Sequence, residues 1–189
     1  QKKFVGNIRK EAQRLVILIN DIIRLSQLDE NHAPATETVD LLEITKEVVE
    51  VLSASAAKKN VTLKYEGSSQ TICGVRRYIY EIIYNLCDNA IRYNNENGSV
   101  HVSVKQIKDS VVLSVKDTGI GIPKDHQERV FERFYRVDKS RSKSTGGTGL
   151  GLAIVKHIVV QSNAEIALQS EKGSGTEIKI IFPKIKEKE

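Results

Sequence analysis

The chain lacks several features that would have assigned it to particular classes of protein. It contains no methionine and two cysteines, and its longest uninterrupted apolar run covers residues 15–19. That run is far too short to span a bilayer, and from these residues we expect no signal peptide. Cys73 and Cys87 lack the spacing of metal ligands, so we expect both to be reduced, half-buried thiols of a reducing compartment. Because the chain opens without methionine inside a helical pattern, we expect it to be a piece of a longer protein.

Composition and charge narrow the choice of partner. A chain of 189 residues with 40% hydrophobic and 28% charged residues suits one well-buried soluble domain plus an appendage. The formal net charge of +5 favours a polyanionic nucleotide and an acidic protein partner. The basic residues are spread along the chain, and the densest basic run, residues 136–143, lies among nucleotide-binding motifs. We therefore predict that nucleic acid is not a partner.

Periodicity predicts a long helix followed by an α+β domain. Apolar residues recur at helical spacing over residues 4–28 in a stripe broad enough for a four-helix bundle, and residues 29–34 end it. Asp40 is a predicted N-cap. Beyond it we predict helices at 41–59, 76–93 and 149–161, and strands at 61–65, 71–75, 99–105, 110–116, 165–170 and 176–182. This order predicts a two-layer α/β sandwich, with a mixed sheet and helices on one face.

Three motifs follow one another in this domain. Residues 85–90 (Asn-Leu-Cys-Asp-Asn-Ala) place two carboxamides four residues apart on one helix face. Residues 117–121 (Asp-Thr-Gly-Ile-Gly) put an aspartate at a strand end before a glycine turn. Residues 147–152 (Gly-Thr-Gly-Leu-Gly-Leu) form a glycine-rich loop that leads into a helix, an arrangement that cradles phosphates. Together the three motifs predict a site for a magnesium nucleotide triphosphate.

The motif set closely resembles the N, G1 and G2 boxes of the sensor histidine kinases, which belong to the GHKL superfamily with gyrase and MutL. Residues 130–136 (Val-Phe-Glu-Arg-Phe-Tyr-Arg) resemble the F box, which points specifically to the histidine kinases. The resemblance implies a Bergerat-type ATP-binding domain at residues 38–183. Residues 1–30 resemble the second helix of the dimerisation hairpin, residues 31–37 are then a linker, and residues 184–189 are a solvated tail.

The resemblance also implies roles for the helix that carries the first motif. Asn85 matches the family's magnesium asparagine, Asn89 supports metal and phosphates, and Glu81 accepts a proton from, or orients, the attacking nucleophile. The ordinary alternatives are a local hydrogen bond for Asn85 and a solvated ion pair with Arg77 for Glu81. Asparagine is unfavourable in the middle of a helix, and this favours the functional interpretation.

The resemblance also implies which residues contact the adenine and the phosphates. Asp117 accepts a hydrogen bond from the adenine amine, and Gly119 and Gly121 let the backbone approach the purine. Tyr93 stacks on the ring. Ile122 lines the pocket or simply packs in the core. Phe131, Phe134 and Tyr135 clamp the lid or belong to the core. The remaining residues are expected at the phosphates, some of them only when the lid closes: Arg92, Arg136, Arg141, Lys143, Gly147, Thr148, Gly149, Leu150 and Gly151.

None of the four histidines lies in the context of the family's acceptor, so we expect the acceptor helix to lie upstream of Gln1. The resemblance then implies the ATP- and Mg²⁺-binding catalytic portion of a kinase that phosphorylates a histidine and passes the group to a response-regulator receiver domain. It also implies a homodimer through the helical hairpin, and the cytoplasmic portion of a membrane-anchored sensor. The alternatives are a gyrase- or MutL-like ATPase, in which Glu81 activates water, and a non-catalytic ATP-sensing dimerisation module.

Overall fold

A computed structural model describes residues 2–29, 35–138 and 147–184. Its four α-helices are α1 (Lys2–Asp29), α2 (Leu41–Lys58), α3 (Arg76–Arg92) and α4 (Gly151–Gln161). Its seven strands are β1 (Glu37–Asp40), β2 (Thr62–Gly67), β3 (Thr71–Gly74), β4 (Ser99–Ile107), β5 (Ser110–Asp117), β6 (Glu165–Glu171) and β7 (Gly175–Pro183). Every predicted helix and strand is therefore present, with ends shifted by one or two residues.

Five strands form the main sheet in the order β2-β4-β5-β7-β6. β2 runs parallel to β4, while the other neighbouring pairs are antiparallel. Alternate residues such as Val102, Leu113 and Ile180 point into one buried layer, against which α2, α3 and α4 pack. The predicted α+β architecture, a two-layer sandwich with a mixed sheet, is confirmed.

Helix α3 shows how the sequence places a polar face beside this core. Ile79, Ile82, Ile83 and Leu86 recur at helical spacing and are fully or almost fully buried. Because a helix turns about 100° per residue, that spacing sends Glu81, Asn85 and Asn89 along a different face, where all three are half-buried. The two carboxamides thus share one face of the helix as predicted, and Glu81 lies on the same face, so the three residues form a polar column.

Strand β1 was not predicted. It pairs antiparallel with β3 in a separate two-stranded sheet, so Glu37, the last residue of the predicted linker, already belongs to a strand. Its residues fall within the predicted linker and the approach to the N-cap of α2, and its pairing with the distant β3 leaves no signal in the local sequence. Asp40, at its end, is the predicted N-cap of α2 and accepts from the N–H groups of Leu42 at 2.8 Å and Glu43 at 3.2 Å.

The two cysteines differ more than expected. Cys73 is exposed on β3, which makes the predicted half-buried state wrong there. Cys87 is fully buried on the core face of α3, so the half-buried prediction is wrong for it as well, and burial raises the pKa of its thiol to about 12. Most of the predicted linker and tail, residues 31–34 and 185–189, lies outside the described residues. Across the described part of the chain, no helix has the length and apolarity needed to cross a membrane.

Candidate functional site

The first and third motifs meet where α3 packs against α4. A Cβ added at Gly151, the first residue of α4, would lie 2.9 Å from Oδ1 of Asn85 and 3.7 Å from Nδ2 of Asn89. Glycine at this position therefore keeps both carboxamides next to the N-terminus of α4. Leu150, at the N-cap position, provides no side-chain cap. The N-terminus of α4 therefore offers backbone donors and a partial positive charge beside two carboxamides.

Asn85 makes a local hydrogen bond, which was the ordinary alternative to a functional role, but its side-chain oxygen remains available for a ligand. Its Nδ2 donates to the backbone oxygen of Glu81 at 2.8 Å. Its Oδ1 accepts no hydrogen bond from another described residue, and neither polar atom of the Asn89 side chain is bonded within the described ranges. A carboxamide oxygen with free lone pairs is a suitable ligand for a hard cation such as Mg²⁺.

Glu81 is enclosed more than a solvated helix glutamate would be. Only 16% of its side chain is exposed, and its Oε1 lies 4.0 Å from Nε of Arg24 on α1. Burial raises the pKa of its carboxyl, the charges of Arg24 and Arg77 lower it, and the charge of Asp21 raises it again. A raised pKa moves a carboxylate towards the range in which it can act as a general base near neutral pH.

Asp117 ends β5, and its carboxylate is anchored through one oxygen. Oδ1 accepts from the N–H groups of Gly119 at 2.8 Å and Thr176 at 3.2 Å. No donor among the described residues reaches Oδ2. Burial raises the pKa of this carboxyl, and the two backbone hydrogen bonds partly offset the rise. The side chain thus presents one fixed acceptor oxygen in a half-buried position.

The glycines after Asp117 are required by the protein's own packing. A Cβ at Gly119 would clash with the carbonyl oxygen of Tyr93, and one at Gly121, where φ is +65°, would clash with that of Glu171. Close backbone contacts inside the fold therefore explain both glycines without a bound purine. Ile122, which follows, is half-buried, and its N–H donates to the hydroxyl of Ser170 at 2.8 Å.

Sequence reasoning missed the polar residues that hold this turn. Asn94 donates to the backbone oxygens of Ala90 at 3.1 Å and Ser99 at 3.0 Å, and its Oδ1 accepts from Thr118 at 3.4 Å. It therefore ties the end of α3 to the start of β4 and to the second motif. Its position among asparagines after Tyr93 resembles an ordinary turn in the sequence, which is why no signal identified it.

The predicted phosphate contacts are only partly assembled. Nε and one terminal nitrogen of Arg92 donate to Asp88, the latter at 2.7 Å. Arg136 donates to the backbone oxygen of Gly147, which keeps its guanidinium beside the glycine-rich loop. Leu150 is fully buried, so any ligand contact there involves its backbone rather than its side chain. Arg141 and Lys143 lie outside the described residues.

The aromatic side chains near the glycine-rich loop differ from one another in solvent exposure. Tyr93 is 37% exposed at the end of α3, and a Cβ added at Gly147 would lie 3.4 Å from its hydroxyl. Phe134 is 56% exposed, so the core alternative is wrong for it, while its N–H donates to the oxygen of Gly149 at 2.9 Å. Tyr135 is held by a hydrogen bond with His126 and by the guanidinium of Arg129, 4.3 Å from the ring centroid.

No group of three or more His, Cys, Asp or Glu side chains converges to form a metal site within the ranges that the structure describes. The described part of the chain thus contains no metal site formed only by these side chains. A cation bound by the carboxamide oxygen of Asn85 would therefore need most of its oxygen ligands from outside the protein.

Comparison with known proteins gives one family. Residues 74–186 match the model of the histidine kinase-, DNA gyrase B- and HSP90-like ATPase family. The chain is 37% identical over 184 residues to the sensor-like histidine kinase SenX3 of Mycolicibacterium smegmatis, covering 96% of this chain and 48% of that protein. The chain thus spans about half the length of this curated relative.

Solved structures agree in fold. The mycobacterial sensor histidine kinase MprB superposes with a TM-score of 0.70 at 27% identity, covering 79% of this chain and 98% of that one. Full-length ShkA, solved in complex with AMPPNP, superposes with a TM-score of 0.81 at 28% identity over 97% of this chain and 39% of that one. The larger coverage of this chain in the second match extends beyond the ATPase-like unit.

Proposed function

The chain belongs to the histidine kinase-, DNA gyrase B- and HSP90-like ATPase family, and from this premise we propose that it is the catalytic portion of a sensor histidine kinase. In the complete protein, the γ-phosphoryl group of ATP would pass to a histidine and then to an aspartate of a response-regulator receiver domain. The relatives' names support this function over a gyrase-like one, and ShkA, a structural neighbour, binds the ATP analogue AMPPNP.

The anchored carboxylate of Asp117 is the observation that best supports a purine site. Its Oδ1 is occupied by two backbone donors, whereas Oδ2 has none among the described residues. The exocyclic amine of adenine donates a hydrogen bond, while guanine carries a carbonyl at the corresponding edge. A carboxylate therefore favours adenine, with Tyr93, Gly119, Gly121 and Ile122 around the ring.

The carboxamides of α3 fit a magnesium triphosphate. Asn85 would provide its Oδ1 as a ligand, Asn89 would support the metal and phosphates, and Gly151 leaves the space beside them open. When bound, Mg²⁺ neutralises phosphate charge. The backbone from Gly147 to Gly151, Thr148 included, together with Arg92 and Arg136, would hold the phosphates. We extend this role to Arg141 and Lys143 by resemblance.

Glu81 lies one turn before Asn85 on the same column. Its enclosure and raised pKa support a role in accepting a proton from, or orienting, an attacking imidazole. That imidazole must come from another segment. His126, the histidine nearest to the lid in sequence, is bonded to Tyr135.

The same proposal covers the organisation of the complete protein. Helix α1 would be the second helix of a dimerisation hairpin, and residues 38–183 the catalytic unit. Several large apolar side chains of α1 are exposed, including Ile8, Leu15 and Ile19, as expected of a helix that pairs with others in a homodimer. We place this chain on the cytoplasmic side of a membrane-anchored sensor.

Incubation with γ-labelled ATP tests the proposal. In-line transfer requires the attacking nitrogen to be held near the γ-phosphate, so the chain alone should bind ATP without labelling itself. Adding in trans a helical hairpin with its acceptor histidine should give acid-labile, base-stable label on the hairpin. Robust label on the isolated chain would mean that the acceptor lies within it. Steady release of phosphate without an acceptor would favour the gyrase-like alternative.

A further inference from the structure

The end of α3 and the end of β5 carry the two side chains proposed to contact adenine. Tyr93, the C-cap residue of α3, is proposed to stack on the ring, and Asp117, the last residue of β5, is proposed to accept from the amine. The two residues lie far apart in the chain and belong to different elements. Their relative position is therefore set by the contacts that join the end of α3 to the turn after β5.

Asn94 makes such contacts with every hydrogen-bonding group of its carboxamide. Its Nδ2 donates to the backbone oxygens of Ala90 at 3.1 Å and of Ser99 at 3.0 Å. Its Oδ1 accepts from the N–H of Asn95 at 3.0 Å and from the hydroxyl of Thr118 at 3.4 Å. A carboxamide has two protons to donate and two lone pairs to accept, so the protein itself uses the full capacity of this half-buried side chain.

The turn after β5 is also held to α3 through the backbone. The N–H of Ile120 donates to the oxygen of Tyr93 at 3.1 Å. Thr118 and Ile120, which are both bonded to the end of α3, flank the buried Gly119. The N–H of that glycine fixes Oδ1 of Asp117. The position of the carboxylate relative to the end of α3 therefore depends on this junction.

We propose that Asn94 is a positioning residue for base recognition: it holds the carboxylate of Asp117 in register with the ring that Tyr93 stacks on, and so sets the preference for a purine with an exocyclic amine. The inference rests on the function proposed above. A hydrogen bond weakens steeply when its angle departs from the optimum, so a small shift of the turn would weaken the bond to the amine. Stacking tolerates a shift of that size, because any base offers a flat face. Loss of the junction should therefore affect the amine contact selectively.

Asn94→Asp tests this role by an isosteric change. The variant keeps one oxygen as an acceptor, but its second oxygen faces the backbone oxygens of Ala90 and Ser99, so two hydrogen bonds become repulsive contacts. Asn97→Asp is the matched control, because it makes the same change, with the same charge, at an exposed position in the turn that follows α3. Urea unfolding establishes that each variant is folded under the conditions of the binding measurement.

Calorimetry on the 189-residue chain with Mg²⁺ compares two nucleotides, ATP and purine riboside triphosphate, which lacks only the exocyclic amine. Asn94→Asp should weaken ATP binding by about 5- to 20-fold, which is part of the contribution of one charge-assisted hydrogen bond. It should weaken binding of the analogue by less than about threefold, because the analogue never makes that bond. Asn97→Asp should leave both affinities within about twofold of the unmodified chain.

Gly98→Ala disturbs the same junction while leaving the carboxamide in place. A Cβ at Gly98 would clash with Oδ1 of Asn94 and lie 2.9 Å from the hydroxyl of Thr118, so the carboxamide must move. Gly98 lacks the positive φ that would by itself strain an alanine. The variant should therefore show the same selective loss of ATP affinity. Gly6→Ala is its control, because nothing lies within 4 Å of the added Cβ.

The two nucleotides separate a positioning role from a purely structural one. Equal weakening of ATP and the analogue in Asn94→Asp would overturn the inference, because Asn94 would then support the whole site rather than the amine contact. Unchanged ATP affinity in both Asn94→Asp and Gly98→Ala would also overturn it, while ATP binding by the unmodified chain would stand. Absence of nucleotide binding in the unmodified chain would instead overturn the proposed function.

Discussion

The N–H of Gly119 donates a 2.8 Å hydrogen bond to Oδ1 of Asp117, two residues earlier in the chain. The N–H of Thr176, on β7, donates to the same oxygen at 3.2 Å. The turn and the neighbouring strand therefore fix the orientation of this carboxylate before any ligand binds, at the cost of burying a charge. Preorganisation of this kind reduces the entropy that a ligand contact loses on binding.

Asp117→Asn should weaken ATP binding by about 10- to 100-fold, because one charge-assisted hydrogen bond to the adenine amine is lost. The amide oxygen can still accept from Gly119 and Thr176, so the fold should persist. Calorimetry with ATP and GTP checks the effect, and Asp109→Asn, in the exposed turn between β4 and β5, is the control. GTP bound as tightly as ATP by the unmodified chain would rule out the adenine assignment.

ATP affinity should fall on acidification earlier than an ordinary aspartate would predict. Burial raises the pKa of Asp117 above 3.8, and only the ionised form makes the charge-assisted hydrogen bond to adenine, because the neutral acid is a weaker acceptor. Affinity should therefore decline as the pH falls through the raised pKa. The free energy of unfolding changes in the opposite sense: for this group, stability is present below the unfolded pKa and is lost as the pH rises through the folded pKa.

The measurement is an ATP titration from neutral to mildly acidic pH, together with urea unfolding at each pH. Asp117→Asn carries no titrating group at this position, so its affinity should lack that acid decline. Identical pH profiles for the two proteins would show that Asp117 does not set the pH dependence.

Glu81 and Asn85 should separate into different roles. Glu81→Gln should keep nucleotide affinity nearly intact and slow phosphoryl transfer to a hairpin in trans by about 100-fold or more, because it removes a base. Asn85→Asp should instead damage Mg²⁺-dependent binding, since it places a carboxylate against the triphosphate.

Calorimetry with and without Mg²⁺, alongside single-turnover transfer, measures both effects. Asn97→Asp makes the same isosteric change in the exposed turn after α3 and should behave like the unmodified chain. An equal loss of affinity in Glu81→Gln and Asn85→Asp would contradict the division of roles.

Gly121 and Gly173 form a matched pair for a stability test. Both have positive φ, +65° and +86°, but only at Gly121 would a Cβ meet another part of the backbone; at Gly173 nothing lies within 4 Å. Gly173→Ala should cost about 1–2 kcal/mol of unfolding free energy from the left-handed conformation alone. Gly121→Ala should lose a further ~1–3 kcal/mol from the clash with Glu171.

Urea denaturation of the two variants gives the comparison. Equal losses would mean that Glu171 moves aside at no cost, and that the close contact at Gly121 does not constrain the turn.

The local sequence was sufficient to predict those structural features whose physical cause lies within a short segment of the chain. The spacing of Ile79, Ile82 and Leu86 determined that Glu81, Asn85 and Asn89 share a face of α3, because helical geometry fixes both stripes together. The alternation in β4 and β5, and the cap at Asp40, were predictable for the same reason. The nucleotide motifs follow from residue type and short spacing alone.

Only the tertiary structure revealed the features that depend on contacts between residues far apart in the chain. Strand β1 was recognisable only through its pairing with β3, and Asn94 became important only because it joins α3, β4 and Thr118. The contact between Asp21 and Thr148 spans 127 residues, and nothing in either neighbourhood predicts it. The sequence determines which groups can donate or accept hydrogen bonds. Which of them become partners depends on packing, because the core brings distant donors and acceptors together.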